Sequence, residues 1–374
     1  MPHMAVPLLD LSAEYRALRG EIDAALHRII ERTAFVGGED VRGFEAEFAA
    51  ACDTVHGLGV ANGSDAIEIA LQALGIGPGD AVLTVPFTFA ATVEAIVRSG
   101  ARPLFVDIDG HYTLDVDAAA ALLGTQPVKA IIAVHLYGHP ADMARLVPLA
   151  RAHGAALIED AAQAHGATCP VDGASRRVGS IGDVGCFSFY PTKNLGAMGD
   201  AGAIVTADGA LAARMRLIAN HGEQTKYEHL IGDGRNSRLD ALHAAVLRIK
   251  LPHLETWNAR RRAVAERYAA GLGGLPLAVP RRRDGVGHVW HQYAVRSTQR
   301  DLLQRRLTER RIGTGIHYPL PLHLQPGYQH LGYRNGSFPV AEAVAREVLS
   351  LPMSPFFSDA QVDEVIAAVR AAAD

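Results

Sequence analysis

The chain contains little cysteine, and its few cysteines are scattered. Cys52, Cys169 and Cys186 are the three cysteines in 374 residues. They are too few and too far apart in the sequence for a disulfide framework or a cysteine-based zinc site. The sequence therefore excludes small disulfide-stabilised proteins and cysteine-ligated zinc proteins.

The chain also lacks an excess of positive charge and any long apolar run. Its formal net charge is -4, from 36 basic and 40 acidic residues, which gives no electrostatic reason to expect nucleic acid or an anionic membrane as a partner. No stretch is long and apolar enough to span a bilayer. Residues 1–6 have neither the basic region nor the apolar core of a signal peptide, so we expect a cytoplasmic protein.

What is present is typical of a globular enzyme with two domains. Hydrophobic residues make up 49% of the chain and charged residues 20%, and 374 residues are many for a single core. Strand and helix patterns alternate between residues 55 and 158, which predicts a mostly parallel sheet covered by helices. We predict an α/β fold, with a large domain at residues 1–251 and a smaller C-terminal α+β domain at residues 252–374.

One lysine stands between two apolar runs. Residues 184–189 predict a buried strand that ends at Pro191, and residues 203–205 predict another. Lys193 lies between them, and burial there would favour the neutral amine that attacks a carbonyl. Most lysines are solvated, however, so this stretch alone favours an ordinary surface loop.

A second stretch, residues 155–166, changes that balance. It begins as a buried strand and continues into Glu159 and Asp160, and ligands of open α/β sheets lie beyond the carboxyl ends of the strands. A lysine that forms a Schiff base, together with an aspartate for the pyridinium nitrogen, is typical of pyridoxal phosphate sites.

These two motifs resemble those of a known family. The runs Glu-Asp-Ala-Ala-Gln-Ala-His-Gly at 159–166 and Ser-Phe-Tyr-Pro-Thr-Lys at 188–193 resemble the DegT-type nucleotide-sugar aminotransferases. These belong to the aspartate-aminotransferase (type I) fold of enzymes that use pyridoxal 5′-phosphate (PLP), and the resemblance covers nearly the whole chain. It implies PLP bound to Lys193, L-glutamate as amino donor, a nucleotide-linked ketosugar as acceptor, and a homodimer with shared active sites.

The resemblance also implies the residues that bind the cofactor. Asp160 would meet the pyridine nitrogen, Gln163 would lie near the ring hydroxyl, and Phe89, rather than Phe87, would lie over the ring. The implied phosphate contacts are Gly63, Ser64, Ser188 and, from the other subunit, Asn236. Taken alone, the turn at residues 62–65 predicts only a helix capped by Ser64.

A further set of residues would line the sugar pocket. By resemblance these are His165, Tyr190, Tyr227, His317, Tyr318 and His323, although a structural histidine explains His165 equally well. His317 and His323 could suggest a metal site. Pro319 and Pro321 prevent them from sharing one helical face, and no third ligand stands nearby, so we expect no metal.

The position of amination is predicted from two variable stretches, residues 190–196 and 221–227. Both look like family members that aminate C3, so we predict a 3-keto-hexose on a nucleoside diphosphate. The alternatives are a C4 aminotransferase acting on a 4-keto-6-deoxyhexose nucleotide, a PLP-dependent sugar dehydratase, and a non-catalytic regulatory protein on the same fold. Such dehydratases replace the lysine with histidine, and a protein without activity need not keep Lys193, Asp160, Gln163 and Ser188 together.

Overall fold

The alternating patterns fold into strands close to the predicted positions. The computed structural model of the chain describes residues 5–373. Its strands are β1 (His56–Val60), β2 (Ala81–Thr84), β3 (Arg102–Phe105), β4 (Ala130–Val134), β5 (Ala156–Asp160), β6 (Thr168–Val171), β7 (Ala174–Arg177), β8 (Val184–Ser188), β9 (Gly202–Thr206), β10 (Glu223–Thr225), β11 (Glu228–His229), β12 (Tyr293–Arg296) and β13 (Val348–Leu351).

Seven of these strands form the central sheet, in the order β1-β9-β8-β5-β4-β2-β3. β9 runs antiparallel to both of its neighbours, and the remaining pairs are parallel. The predicted mostly parallel α/β sheet is therefore confirmed. The carboxyl ends of β4, β5 and β8 meet at one edge of the sheet, where an open sheet of this kind binds its ligand.

Some of the α-helices cover the two faces of the central sheet, and others pack beside β12 and β13. The α-helices are α1 (Leu11–Arg32), α2 (Gly38–Ala51), α3 (Gly63–Ala73), α4 (Ala91–Arg98), α5 (Val116–Leu123), α6 (Met143–Ala152), α7 (Gly209–Ala219), α8 (Ala241–Lys250), α9 (Leu254–Leu272), α10 (Arg300–Glu309), α11 (Pro339–Glu347) and α12 (Asp359–Ala373). Asp10 caps α1, its Oδ1 accepting the hydrogen bond from the Ala13 amide at 2.9 Å.

The apolar residues of the strands divide between the two faces of the sheet. Ile131 and Leu157 pack in one cluster with Leu146 of α6, whereas Ile132 and Ile158 pack in another with helices α3 and α7. Alternation along a strand produces this division. Burial on both faces explains why these strands read as continuous apolar runs.

The beginning of the described chain packs with C-terminal residues rather than with the central sheet. Val6 pairs with Ile312 and is buried in one cluster with Tyr268. Residues 5–8 therefore belong with the domain predicted at 252–374, and residues 1–4 lie outside the described part. Farther along the chain, Gly315 pairs with Ser350 in a single antiparallel bridge.

Helix α9 binds two distant segments of the C-terminal part of the chain through buried polar contacts. Its Arg261 donates to the backbone oxygens of Trp290 and Met353, each at 3.3 Å. The hydroxyl of Tyr268, also in α9, donates to the Pro352 oxygen at 2.8 Å. These bonds fix the segment after β13 and the segment before β12, and the latter lines the cavity described below. Among residues 5–373, no helix combines the length and apolarity needed to cross a membrane.

Candidate active site

A cavity of about 490 Å³ lies at the carboxyl edge of the sheet, bounded by both domains. It brings together most of the residues that the sequence singled out. The predicted residues that line it are Gly63, Ser64, Phe89, Asp160, Gln163, Ser188, Tyr190, Lys193, His317 and Tyr318.

Lys193 lies in the tight connection between β8 and β9. Its backbone amide donates to the Tyr190 oxygen at 2.8 Å. A side chain at Gly196 would bring its Cβ to 2.4 Å from the Pro191 oxygen, so the connection requires glycine there. Burial lowers the pKa of the Lys193 amine to about 8, with the carboxylate of Asp160 opposing the shift. About a tenth of this amine is therefore neutral at pH 7 and able to attack a carbonyl, a far larger share than for an ordinary solvated lysine.

The connection that carries Lys193 is anchored by two buried side chains that the sequence did not indicate. The Asn194 amide nitrogen donates to Asn258 Oδ1 and to the Val289 oxygen, both at 2.9 Å. Lys250 donates to the Gly196 oxygen at 2.6 Å and forms an ion pair with Glu14 of α1. The backbone on the C-terminal side of Lys193 is thereby bound to α8, α9 and the segment before β12.

Asp160 is the last residue of β5 and faces the cavity from across the sheet edge. Its Oδ2 accepts a hydrogen bond from the Thr92 hydroxyl at 2.7 Å, and its Oδ1 accepts one from the Ala162 amide at 3.3 Å. Thr92 in turn lies 3.0 Å from the hydroxyl of Thr88. These bonds fix the orientation of the carboxylate. A carboxylate that contacts the nitrogen of a planar ring needs such a fixed orientation.

The neighbouring carboxylate, Glu159, has a structural function instead. It is fully buried and accepts hydrogen bonds from the amides of Gly179, Ile181 and Gly182 at 2.8–2.9 Å. His135 Nδ1 accepts from the Ala141 amide, so its Nε2 carries the proton and donates to Glu159 at 3.1 Å. Glu159 thus holds the loop between β7 and β8.

The beginning of α3 opens into the same cavity. Asn62 caps this helix, its Oδ1 accepting from the Asp65 amide at 2.8 Å, so Ser64 is not the cap that the turn alone predicted. A Cβ at Gly63 would lie 2.6 Å from the Cβ of Ser188. Glycine therefore allows the helix N-terminus to approach β8, and free amides at a positive helix end suit a phosphate group.

Two further predicted residues have surroundings suited to a planar ring. Phe89 is 57% exposed and lines the cavity, whereas Phe87 is fully buried, in agreement with the choice of Phe89. The Gln163 side chain accepts from the Tyr137 amide at 2.6 Å and donates to the Tyr318 hydroxyl at 3.4 Å. Burial raises the pKa of Tyr318, which keeps its hydroxyl protonated.

Taken together, these residues fit PLP. One cavity is surrounded by four features: a carboxylate with a fixed orientation, an amine with a lowered pKa, a glycine-lined helix N-terminus and a half-exposed aromatic ring. Each corresponds to one part of the cofactor: the ring nitrogen, the aldehyde, the phosphate and the ring face.

Two histidines predicted to line the sugar pocket do not reach the cavity. His165 is fully buried between Phe187 and Phe189, with ring centroids 5.4 and 5.5 Å away, and burial lowers its pKa to about 3. His323 is buried, and its Nε2 bonds to Glu342 at 3.0 Å. Both predictions of sugar contact are corrected, because each ring is enclosed by protein.

Tyr227 and Asn236 also lie away from the cavity of their own chain, but on the surface. Tyr227 is 78% exposed in the turn between β10 and β11, and Asn236 is exposed on the segment that leads to α8. Neither contributes to the site within one chain.

His291 and Gln292 line the cavity but were not predicted. They directly precede β12, far along the chain from either motif, and no local pattern marks them. Among the residues that the structure describes, no group of three or more histidine, cysteine, aspartate or glutamate side chains is placed to hold a metal ion.

The lowered pKa of Lys193 leads to a measurable prediction. Competitive labelling of the cofactor-free protein with acetic anhydride, followed by peptide mass spectrometry, should show Lys193 reaching half of its maximal reactivity near pH 8. The same lysine in denatured protein should do so near an ordinary lysine value of about 10.4. Equal titration in folded and denatured protein would show that the amine is not desolvated.

Comparisons with known proteins agree with this geometry. The profile described as the DegT/DnrJ/EryC1/StrS aminotransferase family matches residues 16–370. The chain is 47% identical to the dTDP-3-amino-3,4,6-trideoxy-alpha-D-glucose transaminase of Streptomyces venezuelae, over 98% of this chain and 95% of that protein. It is 43% identical to the UDP-N-acetyl-3-dehydro-alpha-D-glucosamine 3-aminotransferase of Acidithiobacillus ferrooxidans, over 98% of this chain and 97% of that protein. The crystal structure of S. venezuelae DesV in complex with a ketimine intermediate, 47% identical, superimposes with a TM-score of 0.94 over 99% of this chain and 98% of that one.

Proposed function

The chain belongs to the DegT/DnrJ/EryC1/StrS aminotransferase family, and we propose that it transfers an amino group from L-glutamate to C3 of a nucleotide-linked 3-keto-hexose. Its cofactor is PLP. The observation that carries the proposal is the presence of Lys193 and Asp160 in one cavity, the first desolvated and the second fixed by Thr92. Such an enzyme would act in amino sugar biosynthesis.

The side chains of the site divide the work of the reaction. When bound, PLP supplies the reactive aldehyde and an aromatic ring that withdraws electrons. Asp160 places a negative charge where the ring nitrogen must keep its proton. Lys193 would hold the cofactor through its amine and, when that amine is free, would accept and return a proton at Nζ. Gly63, Ser64 and Ser188, which line the cavity, would bind the phosphate.

Support for C3 comes from the relatives and from the walls of the cavity. Both relatives named above are described as acting at the 3-position, one on a dTDP-sugar and the other on a UDP-sugar. A C3 ketone and a C4 ketone differ by one ring position, so the pocket must hold the hexose by its hydroxyl groups to select between them. Tyr190, His317 and Tyr318 line the cavity and would provide such contacts. Sites that hydrogen-bond substrate hydroxyls discriminate strongly, because a wrong orientation leaves buried polar groups unpaired.

Matched substrates test the position of amination. Purified enzyme with PLP and excess L-glutamate would be supplied separately with dTDP- and UDP-linked 3-keto- and 4-keto-6-deoxyhexoses, and the products would be identified by NMR. We expect kcat/KM to be at least about 100-fold higher for a 3-keto substrate. Amination of only the 4-keto substrates would favour the C4 alternative, and no amination at all would favour a non-catalytic protein.

We further propose that the enzyme is a homodimer with shared active sites and acts in the cytoplasm. Asn236 and Tyr227 are exposed and away from their own cavity, and Leu230, on the same segment, is 52% exposed. An exposed apolar segment of this kind suits contact with a second copy, where Asn236 would reach the partner's cofactor phosphate. The cysteines are all free and buried, which fits a reducing compartment.

Mixed dimers test the sharing of sites. Subunits that carry Lys193→Ala would be combined with subunits that carry Asn236→Ala. If Asn236 acts across the interface, each mixed dimer contains one complete site, made of Lys193 from one subunit and Asn236 from the other. We expect the mixture to exceed the mean activity of the two parents, and light scattering to show a dimer. An active monomer, or activity equal to that mean, would contradict the proposal.

A further inference from the structure

His291 lies at the wall of the cavity with one edge of its ring turned into the protein. The residue is 8% exposed and directly precedes the segment that enters β12. Its Nδ1 lies 3.1 Å from Asn194 Oδ1. Asn194 does not line the cavity, whereas His291 does. His291 Nε2 has no hydrogen-bond partner among residues 5–373 and yet is not one of the fully buried atoms without a partner, so it is accessible from the cavity.

Hydrogen bonds to backbone carbonyls determine the tautomer of this ring. The Asn194 amide nitrogen donates to the Val289 oxygen, and the Asn258 amide nitrogen donates to the His165 oxygen, both at 2.9 Å. A carbonyl oxygen only accepts, so both amide orientations are fixed. Asn194 Oδ1 must therefore accept from His291, and the proton of a neutral ring is on Nδ1.

The surroundings also keep this ring neutral. Burial lowers the pKa of His291 well below its usual value, and the nearby charges of Lys193 and Arg261 lower it further. With its proton on Nδ1, the neutral ring leaves Nε2 as a bare hydrogen-bond acceptor. Within residues 5–373, no protein group donates a hydrogen bond to this nitrogen.

We propose that His291 determines substrate specificity by accepting a hydrogen bond at Nε2 from a hydroxyl group of the bound hexose. This inference rests on the proposed function and adds a residue that neither sequence motif contains. A ring with a fixed tautomer favours a hydroxyl at this position and disfavours a carbonyl, which cannot donate. Asn194, next to Lys193 in the chain, acts as a positioning residue, because the same side chain anchors the catalytic connection and orients the histidine.

A pair of variants separates the two edges of the ring. His291→Asn keeps a donor near the position of Nδ1, and therefore the bond to Asn194, but removes Nε2. His291→Gln places an amide group near the position of Nε2 instead. Retention of the visible absorption band of the PLP-loaded enzyme shows that each variant folds and binds its cofactor.

Binding would be measured by calorimetry on the PLP-loaded enzyme. The ligands are dTDP-glucose and UDP-glucose, their 2-, 4- and 6-deoxy analogues, and dTDP and UDP alone. We expect His291→Asn to weaken binding of the preferred glucose ligand about tenfold, His291→Gln to restore part of the loss, and the nucleoside diphosphates to bind unchanged. The analogue that lacks the hydroxyl bound by Nε2 should bind the wild type and His291→Asn with equal affinity. The analogue that shows this equality therefore identifies the hydroxyl that Nε2 contacts.

Several results would overturn the inference. The inference is wrong if His291→Asn weakens the binding of every analogue equally, or if it weakens the binding of none. It is also wrong if the wild type binds neither dTDP-glucose nor UDP-glucose. If the hydroxyl-specific pattern appears but the chain fails the amination assay, the proposed reaction is wrong while sugar recognition by His291 stands. The two failures are therefore distinguishable.

The tautomer gives a second test that does not depend on activity or ligand. In protein labelled with ¹⁵N-histidine, with His291→Asn used for assignment, NMR should show a protonated Nδ1 and a bare Nε2 near neutral pH. Asn194→Ala should remove this preference. A ring protonated at Nε2, or an imidazolium, would overturn the inference.

Discussion

Replacing Lys193 with alanine is expected to reduce amino transfer by at least about 10⁴-fold, because one side chain both binds the cofactor and moves the proton. The connection that carries it should persist, since Asn194, Lys250 and Gly196 hold its backbone independently of the lysine side chain. We therefore expect loss of turnover with little change in the melting temperature. Turnover would be measured with L-glutamate and the preferred ketosugar, and folding by circular dichroism.

Lys129→Ala provides a matched control. Lys129 is exposed, just before β4, and does not line the cavity, so its loss should leave turnover unchanged. Added methylamine should restore some activity to Lys193→Ala, because a small amine can accept and return the proton in place of Nζ. Turnover close to the wild type in Lys193→Ala without an added amine would exclude Lys193 as the catalytic residue.

Asp160→Asn should produce the second large loss, on the order of 10³-fold in kcat, because an amide cannot provide the negative charge that holds a proton on the ring nitrogen. The substitution preserves the size of the side chain, so the hydrogen bond from Thr92 can still be accepted by the amide oxygen. We expect cofactor affinity to fall much less than kcat. Both would be measured on the same preparations, the affinity by titration of cofactor-free protein.

Thr92→Val separates the charge from its orientation. It removes the 2.7 Å hydrogen bond to Asp160 and retains the carboxylate, so a smaller loss in kcat, about tenfold, is expected. An unchanged kcat in Asp160→Asn would show that the aspartate is only structural.

The parts of this molecule that the sequence predicted are those with local signals. The central strands are apolar runs buried on both faces, and Lys193 and Asp160 stand in long motifs beside such strands. The fold and the central pair of the site could therefore be inferred from short stretches of chain.

The rest depends on contacts between distant segments. Thr92 and Asp160 are 68 residues apart, and His291 and Asn194 are 97 apart, so no local pattern links them. His165 and His323 were assigned to the sugar pocket although both rings are buried, because the burial of a histidine depends on the distant residues that pack around it. The pairing of Val6 with Ile312 is equally invisible to a local pattern.

The proposed reaction transfers the amino group of L-glutamate to C3 of a nucleotide-linked sugar in this cavity. The most direct measurement is to incubate the enzyme with [¹⁵N]-L-glutamate and the preferred 3-keto-hexose nucleotide, and to locate the isotope in the product by NMR. We predict ¹⁵N bonded to C3, with one 2-oxoglutarate formed for each amino sugar. Isotope at C4, or consumption of the ketosugar without ¹⁵N in the product, would contradict the claim.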